Sequence, residues 1–219
     1  MAIYTDMVVC DLRHLNDVEA IKQIEEIFDV VTLVLPNDAS PEVMSAITQI
    51  PKRDIANIVY VSAAAKVMSY SGIAEITESS FFDKEVVVIS NGITVISGVN
   101  PEIKIHLFIN GISVINKKAF NKSSIFYSNI NGIKIEAEFD NYKLFSNKIE
   151  IDSDMIKYLE PDTAIIAGNG IIIADDVTID TITEKGLKFI AGNEISCNRK
   201  IAGYIKAVST VGNEIRVRE

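Results

Sequence analysis

Two pairs of acidic residues are the side chains of this sequence best suited to bind a metal ion. Asp152 and Asp154 occur in the stretch IDSDM, and Asp175 and Asp176 occur in IADDV. Carboxylate oxygens are the ligands that hard cations such as Ca²⁺ prefer in proteins. Acidic residues also cap short turns, and we favour this structural interpretation for both stretches. If a cation binds, we expect it at Asp175 and Asp176.

The other side chains with catalytic potential do not form a recognisable enzyme motif. The sequence has no nucleophile elbow, P-loop or paired metal-binding histidines. Gly168-Asn169-Gly170 starts like a dinucleotide-binding fingerprint, but the residues after it are typical of a strand, whereas a bound phosphate needs the N-terminus of a helix. His14 and His106 have no evident partner, so we expect structural or surface roles for both. We therefore predict a non-enzymatic protein without catalytic residues or cofactors.

Charge and hydropathy limit the classes of partner. The net charge is −9, and residues 1–100 hold most of it, with 14 acidic and 6 basic side chains. Nucleic-acid binding would need a basic surface, and an anionic membrane would repel this chain. No stretch is apolar for long enough to span a membrane, and the first residues do not resemble a secretion signal. We expect a cytoplasmic protein that binds neither nucleic acid nor membranes, with Cys10 and Cys197 as buried thiols.

A short pattern repeats through the second half of the sequence. Asn-x-Ile-x-apolar occurs seven times at intervals of 19, 21, 16, 22, 24 and 20 residues, starting at Asn91, Asn110, Asn131, Asn147, Asn169, Asn193 and Asn213. A repeat of about 20 residues is typical of one coil of a solenoid built from parallel strands. The asparagines are therefore predicted to form a structural ladder.

Two arrangements could contain this repeat. Asn-Gly between apolar stretches favours a β-hairpin, because a type I′ turn needs positive φ at both central residues, and successive hairpins would form an antiparallel meander. In a solenoid, each asparagine would instead lie at the same corner of successive coils and bond to the next asparagine. Three copies replace the glycine with Lys148, Glu194 and Glu214 but keep the asparagine and the apolar positions. This favours the solenoid, with the isoleucine of each copy pointing inward.

The first hundred residues alternate between strand and helix patterns. The spacing predicts two helices, one starting at Asn16 and one running from Ser40 to Pro51. A row of isoleucines marks the buried face of the first: Ile21, Ile24 and Ile27. The apolar ladder from Ile21 to Leu35, and the pattern Val86-x-Val88-x-x-Asn91, give residues 15–91 a resemblance to leucine-rich repeats. The resemblance implies an αβ solenoid, and an ordinary αβ sandwich layer is the alternative.

The last sixty residues resemble another repeat family. The stretches IIAGNGIIIADDV and FIAGNEISCNRKIAGYI are similar to coils of the polymer-forming β-solenoids called bactofilins, and to the β-helical domain of the bacterial division-site inhibitor. The resemblance covers residues 160–219 and implies stacked parallel strands. We thus predict an α/β to β-rich repeat solenoid, with a leucine-rich-repeat-like αβ part at residues 1–100 and a mainly parallel β-solenoid at residues 101–219.

The two ends of the sequence carry opposite charge. Residues 1–29 contain 7 acidic and 2 basic side chains, whereas residues 190–219 contain 3 and 5. In the last predicted strand, Arg216 and Arg218 alternate with apolar residues and could form an interaction edge. Head-to-tail contacts generate rings or filaments. Our leading hypothesis is a scaffold or protein–protein interaction module. The opposite charges predict salt-sensitive self-association, but they could equally be solvated charges at exposed ends, and we favour this second interpretation.

The alternative is a small-ligand or sugar-binding protein, or an enzyme, with its site in a cleft between the two halves. Asp175, Asp176 and a group of aromatic residues would line that cleft: Phe120, Phe126, Tyr127, Phe139, Tyr142 and Phe145. The same aromatic side chains could equally fill the core where two solenoid segments meet, and we favour this second role for them.

Overall fold

The protein is β-rich, and its described strand pairs are parallel. The computed structural model describes the backbone of residues 1–120 and 125–219, and the side chains outside residues 119–127. These residues form 16 strands and six short helices. Every strand pair among them is parallel. The hairpin interpretation of the Asn-Gly repeats is therefore wrong.

The first sheet has four strands, of which the two shortest follow one another along the same side of one longer strand. Its strands are β1 (Ala2–Tyr4), β2 (Met7–Asp11), β3 (Ile24–Pro36) and β4 (Lys52–Val61). Both β1 and β2 pair with one side of β3, and β4 pairs with the other side. Two helices connect these strands, α1 (Val18–Lys22) and α2 (Pro41–Gln49), and they bury Ile21, Val43 and Ile47.

One of the two predicted N-terminal helices is confirmed, and the other is too long. Ser40 caps α2, because its hydroxyl oxygen accepts a hydrogen bond from the Val43 amide at 3.3 Å. Helix α1 has five residues and is capped by Asp17 rather than by Asn16. Ile24 and Ile27 lie in β3 and pair with β1. Apolar residues three apart suggested a helix there, but β-branched side chains are stiff and fit a strand better.

The second sheet has four strands. These are β5 (Lys66–Ile76), β6 (Glu85–Ile96), β7 (Lys104–Asn116) and β8 (Ile125–Ala137), and helix α3 (Lys117–Phe120) follows β7. Strands β6 and β7 pair in register from Glu85 with Lys104 to Ile96 with Ile115. The boundary that the sequence suggested at residue 100 therefore falls inside one continuous sheet.

The remaining residues form a stack of four coils, here called the C-terminal stack (residues 141–218). Each coil gives one strand to each of two sheets: β9 (Asn141–Phe145) and β10 (Lys148–Ile151), β11 (Thr163–Ala167) and β12 (Gly170–Ile173), β13 (Lys188–Ala191) and β14 (Glu194–Asn198), and β15 (Ser209–Val211) and β16 (Glu214–Arg218). Short helices join the coils: α4 (Ser153–Lys157), α5 (Ile179–Lys185) and α6 (Ala202–Val208). The sequence did not predict these helices, whose five to seven residues are too few for a clear helical period.

The strands bend at corners that only a few residue types can occupy. In the first sheet, the register aligns Asp6, Asp29 and Asp54, whose φ angles are 56°, 54° and 52°. Aspartate adopts this left-handed conformation more readily than most residues do. In the second sheet, aligned glycines with φ between 98° and 140° take the same role: Gly72, Gly92, Gly111 and Gly132. Each of these two sheets therefore bends at its own row of aligned corner residues.

Isoleucines of the second sheet lie directly over corner glycines of the C-terminal stack. A Cβ atom added to Gly192 would lie 2.3 Å from Cδ1 of Ile112. The coils on either side repeat this contact, with Ile93 over Gly168 and Ile133 over Gly212. Atoms this close cannot coexist, so the corners must lack side chains for the two layers to pack. The contact sets the alignment of one layer on the other.

We predict that Gly192→Ala destabilises the protein. The added methyl group would meet the Gly168 carbonyl oxygen at 2.1 Å as well as Ile112, and such overpacking costs about 1–3 kcal/mol or more. Urea unfolding followed by circular dichroism measures the change. Gly203→Ala is the matched control, because this exposed residue of α6 has no atom within 4 Å of its added Cβ and should gain about 0.5–1 kcal/mol. Equal stabilities of the two variants would contradict the corner contact.

Candidate functional site

The seven repeated asparagines lie in two rows rather than in one. The register aligns Asn91, Asn110 and Asn131 in the second sheet, and Asn131 Nδ2 donates to Asn110 Oδ1 at 3.3 Å. The second row lies in the C-terminal stack, where each side-chain amide donates to the previous one at 3.3 to 3.4 Å: Asn147, Asn169, Asn193 and Asn213. These rows satisfy polar groups at the corners of successive coils.

The second row ends at an open strand edge. Strand β16 pairs with β14 on one side, and no described strand pairs with its other side. The Asn193 main-chain oxygen accepts hydrogen bonds from the amides of Asn213 and Glu214, both at 3.1 Å. In the same sheet position one coil later, the Asn213 oxygen faces away from the described chain. We call β15 and β16 together the C-terminal edge.

The C-terminal edge presents charges in a fixed order. Glu214 and Arg216 are exposed, and the half-exposed Arg218 donates to Asp175 Oδ1 at 3.0 Å and to the Ile173 carbonyl oxygen. Arg216 lies 3.8 Å from Glu194 on the neighbouring strand. The two arginines that the sequence singled out therefore do lie on an open edge, and each also contacts an acidic residue of its own chain.

The opposite edge of the C-terminal stack differs at one residue, Ser146. The register places Ser146 at the corner position that Gly168, Gly192 and Gly212 occupy in the later coils. A Cβ on those glycines would lie 2.1 to 2.4 Å from the carbonyl oxygen of the preceding coil. A corner side chain is therefore compatible with the first coil of a stack but not with a later one. Ser146 thus closes the β9/β10 edge to a further coil.

The carboxylates proposed as metal ligands form hydrogen bonds or ion pairs with protein groups. Asp175 pairs with Arg218, and Asp176 Oδ2 accepts hydrogen bonds from the Ser153 amide at 3.2 Å and hydroxyl at 2.6 Å. Asp152 caps α4 by accepting from the Met155 amide. Within the described residues, no three His, Cys, Asp or Glu side chains come together in a way that could hold a metal ion.

A narrow cleft lies between the first and second sheets, and its lining differs from that of the predicted cleft. Its volume is about 130 Å³. Its polar lining is mainly asparagine: Asn57, Asn91, Asn110, Asn129 and Asn131. Asp175 and Asp176 lie elsewhere, and Phe139 is buried in the core between the second sheet and the C-terminal stack. The side chains of Phe120, Phe126 and Tyr127 lie outside the described residues.

A larger cleft lies at the carboxyl ends of the strands of the first sheet. It encloses about 450 Å³, and Arg13, His14, Asp38 and Ser40 are among its lining residues. The Arg13 side chain is only 4% exposed and forms a two-pronged pair with Asp11 at 2.8 and 2.9 Å. It also donates to the main-chain oxygens of Ser62 and Ala65. Arg13 therefore ties the first sheet to the segment that leads into the second.

The histidine and cysteine side chains have the structural environments that the sequence suggested. His106 is buried, and its Nε2 lies 2.8 Å from Glu85, whereas His14 is exposed. Burial raises the pKa of the Cys10 thiol to about 11 and also raises the pKa of Cys197. A thiol must ionise to react as a nucleophile, so neither cysteine is poised for chemistry.

Comparison with known proteins identifies no relative, so function must be inferred from the structure. The chain matches no protein-family model, no curated protein and no solved structure. Among the described residues, no helix has both the length and the apolar character that crossing a membrane requires.

We predict that Asp11→Asn flattens the loss of stability in acid. Burial alone would raise the pKa of Asp11, but the hydrogen bonds and charge of Arg13 outweigh it and lower the pKa. A carboxyl whose pKa is lowered by folding adds stability above its unfolded pKa of about 3.9, and that stability is lost as the pH falls through the folded value. Urea midpoints of the variant should therefore depend less on pH below about 5 and be lower at pH 7.

Asp154→Asn is the control for this experiment. Asp154 forms an exposed ion pair with Lys157, and such pairs contribute little to stability. Parallel pH curves for wild type and Asp11→Asn would contradict the role given to the Arg13 pair.

Proposed function

We propose that this protein is a non-enzymatic protein-interaction module whose binding surface is the C-terminal edge. The observation that carries the proposal is the open hydrogen-bonding side of β16. The Glu214 amide points to β14, where it donates to Asn193. Because successive residues of a strand alternate in direction, the amides of Ile215 and Val217 point away from the stack. No described strand pairs with them, so they can pair with a strand from another molecule.

Strand addition explains both affinity and selectivity at such an edge. Main-chain hydrogen bonds supply affinity, and the side chains that alternate along the added strand supply specificity. Charged residues along an edge commonly prevent unwanted pairing, and here they would also select the partner. Glu214 and the two arginines would attract strands of complementary charge and repel others.

The stacked architecture also supports a role as a scaffold. Stacks of coils present long surfaces and do not depend on a pocket. The resemblance to leucine-rich repeats at residues 15–91 and to bactofilins at residues 160–219 suggests the same kind of function. Pairing between copies of the chain would use the β9/β10 edge of the second copy, which Ser146 closes, so we expect self-association only when that corner is opened.

A second candidate function is the binding of a small polar ligand in the cleft beside Arg13. The carboxyl ends of parallel strands are a common place for ligand sites, and His14, Asp38 and Ser40 offer polar groups there. A thermal-shift screen of monosaccharides and amino acids would test it. A ligand that raises the melting temperature of wild type but not of His14→Ala would support this function.

The interaction surface is tested by blocking the edge. Val217→Pro removes an outward amide without removing a bond to β14, and proline is tolerated at edge strands in this orientation. We predict that peptides selected from a random display library on wild type bind Val217→Pro about tenfold more weakly, the effect of one hydrogen bond together with the bulk of the ring.

Val217→Thr is the matched control, because it keeps the amide and the branched shape. Peptides should bind it as they bind wild type. Selected peptides that bind all three proteins equally would place the binding surface elsewhere and refute the proposal.

A further inference from the structure

We infer that the C-terminal edge accepts a parallel strand that has glycine at the corner position, followed by asparagine, a basic residue and two acidic residues at alternate positions. This inference rests on the proposed function and adds the chemistry of the partner. It follows from the corner geometry, from the register of the stack and from the charges on β16.

The glycine requirement comes from the carbonyl groups at the corners. Within the stack, a Cβ on Gly192 would lie 2.1 Å from the Gly168 oxygen, and a Cβ on Gly212 would lie 2.1 Å from the Gly192 oxygen. A strand added in the same register would meet the Gly212 oxygen in the same way. Only a residue without a side chain fits there, so glycine should select the partner and its register.

The charge requirement follows from the pairing of successive coils. Glu194 and Glu214 are directly paired, which places two like charges side by side. Lys148 lies on the other side of Glu194 and reduces the repulsion between the two glutamates, because its Nζ reaches across Gly170 to within 2.6 Å of the Glu194 carboxylate. Among the described residues, Glu214 has no ion-pair partner. A basic residue on the added strand would give it one.

The same register places acidic residues opposite the two arginines. Arg216 and Arg218 pair with Ser196 and Asn198 on the inner side, which are uncharged. Nε of Arg218 is buried and has no hydrogen-bond acceptor among the described residues. Acidic side chains two and four positions after the basic one would therefore lie beside the arginines.

The chain itself contains a strand with this charge order. The register of the stack makes Lys148, Glu150 and Asp152 the equivalents of Glu214, Arg216 and Arg218, and the order of their charges is reversed at each position. Asn147 would likewise continue the asparagine row. Only Ser146 departs from the requirement. A second copy thus has the matching charges but lacks the corner glycine, which should keep wild-type copies from stacking.

Peptides test the chemistry directly. The probe is KLFGNKIEID, which is residues 143–152 with Ser146→Gly, and it is compared with the natural KLFSNKIEID and with the charge-reversed KLFGNEIKIK. Fluorescence polarisation against the whole chain should show the first binding at least about tenfold more tightly than the other two, with loss of binding in high salt and on Val217→Pro.

The outcomes separate this inference from the proposed function. Equal binding of the three peptides would overturn the inference. If none of them binds while library-selected peptides still distinguish wild type from Val217→Pro, the partner chemistry is refuted and the edge remains the surface. If the library peptides also ignore Val217→Pro, both proposals fail.

The whole chain supplies an independent test. Ser146 is exposed, so Ser146→Gly should fold normally, which circular dichroism can verify. In sedimentation velocity over a concentration series, the Ser146→Gly protein should form larger species that dissolve in high salt. Wild type should not form them, and neither should the double variant that carries both Ser146→Gly and Val217→Pro. A Ser146→Gly protein that sediments like wild type would overturn the role of the corner.

Discussion

The close approach of successive coils at their corners is the constraint on which the rest of the structure depends. Neighbouring strands lie only about 4.8 Å apart, so a bend in stacked strands brings the main chain of one coil against the corner of the next. A left-handed aspartate occupies these corners in the first sheet and glycine occupies them in the other layers, apart from Ser146 in the first coil of the C-terminal stack. The same absence of side chains lets Ile93, Ile112 and Ile133 settle over the C-terminal stack. Coil stacking and layer packing therefore depend on the same positions.

At the corners of the C-terminal stack, asparagine forms the hydrogen bonds between successive coils. A corner exposes main-chain groups that a regular strand would satisfy, and unsatisfied polar groups are costly. In the C-terminal stack, each asparagine bonds to the next through both its side chain and its main chain. This explains why the residue recurs in the sequence while the position after it varies between Gly170, Lys148, Glu194 and Glu214.

The repeat was readable from the sequence because every copy meets the same local demand. The arrangement of the copies in two rows was not readable, because it depends on how residues 138–140 join the second sheet to the C-terminal stack. The change in composition near residue 100 lies between the paired strands β6 and β7, because composition need not change where a sheet ends. Ile24 and Ile27 were misassigned because the buried residues at the start of β3, Ile24, Ile27 and Val30, recur every three residues, a spacing that also occurs in helices.

The candidate site was readable only in part. The alternation of Arg216 and Arg218 with apolar residues predicts an edge strand, because a strand has a period of two. The importance of Ser146 is visible only when it is aligned with Gly168, Gly192 and Gly212, in front of the asparagine rather than after it. A better signal was therefore present in the Gly-Asn pairs. The buried pair of Asp11 and Arg13 gave no signal, since its partners are carbonyl groups distant in sequence.

The two ends of the C-terminal stack have different properties as a result. One end has a corner side chain that leaves no room for a further coil, and at the other a carbonyl group, outward amides and an ordered set of charges face away from the described strands. Open strand edges are usually a hazard, because they pair without selection. Here steric selection for glycine and the charges of β16 would together restrict pairing to few sequences.

The measurement that tests the central claim most directly is a set of nuclear Overhauser effects between the last two coils. Parallel stacking at a shared corner predicts contacts between the side-chain amide protons of Asn193 and Asn213, and between main-chain protons of Ile195 and Ile215 in parallel register. Close contacts between α-protons of facing strands, the signature of antiparallel pairing, would contradict the account.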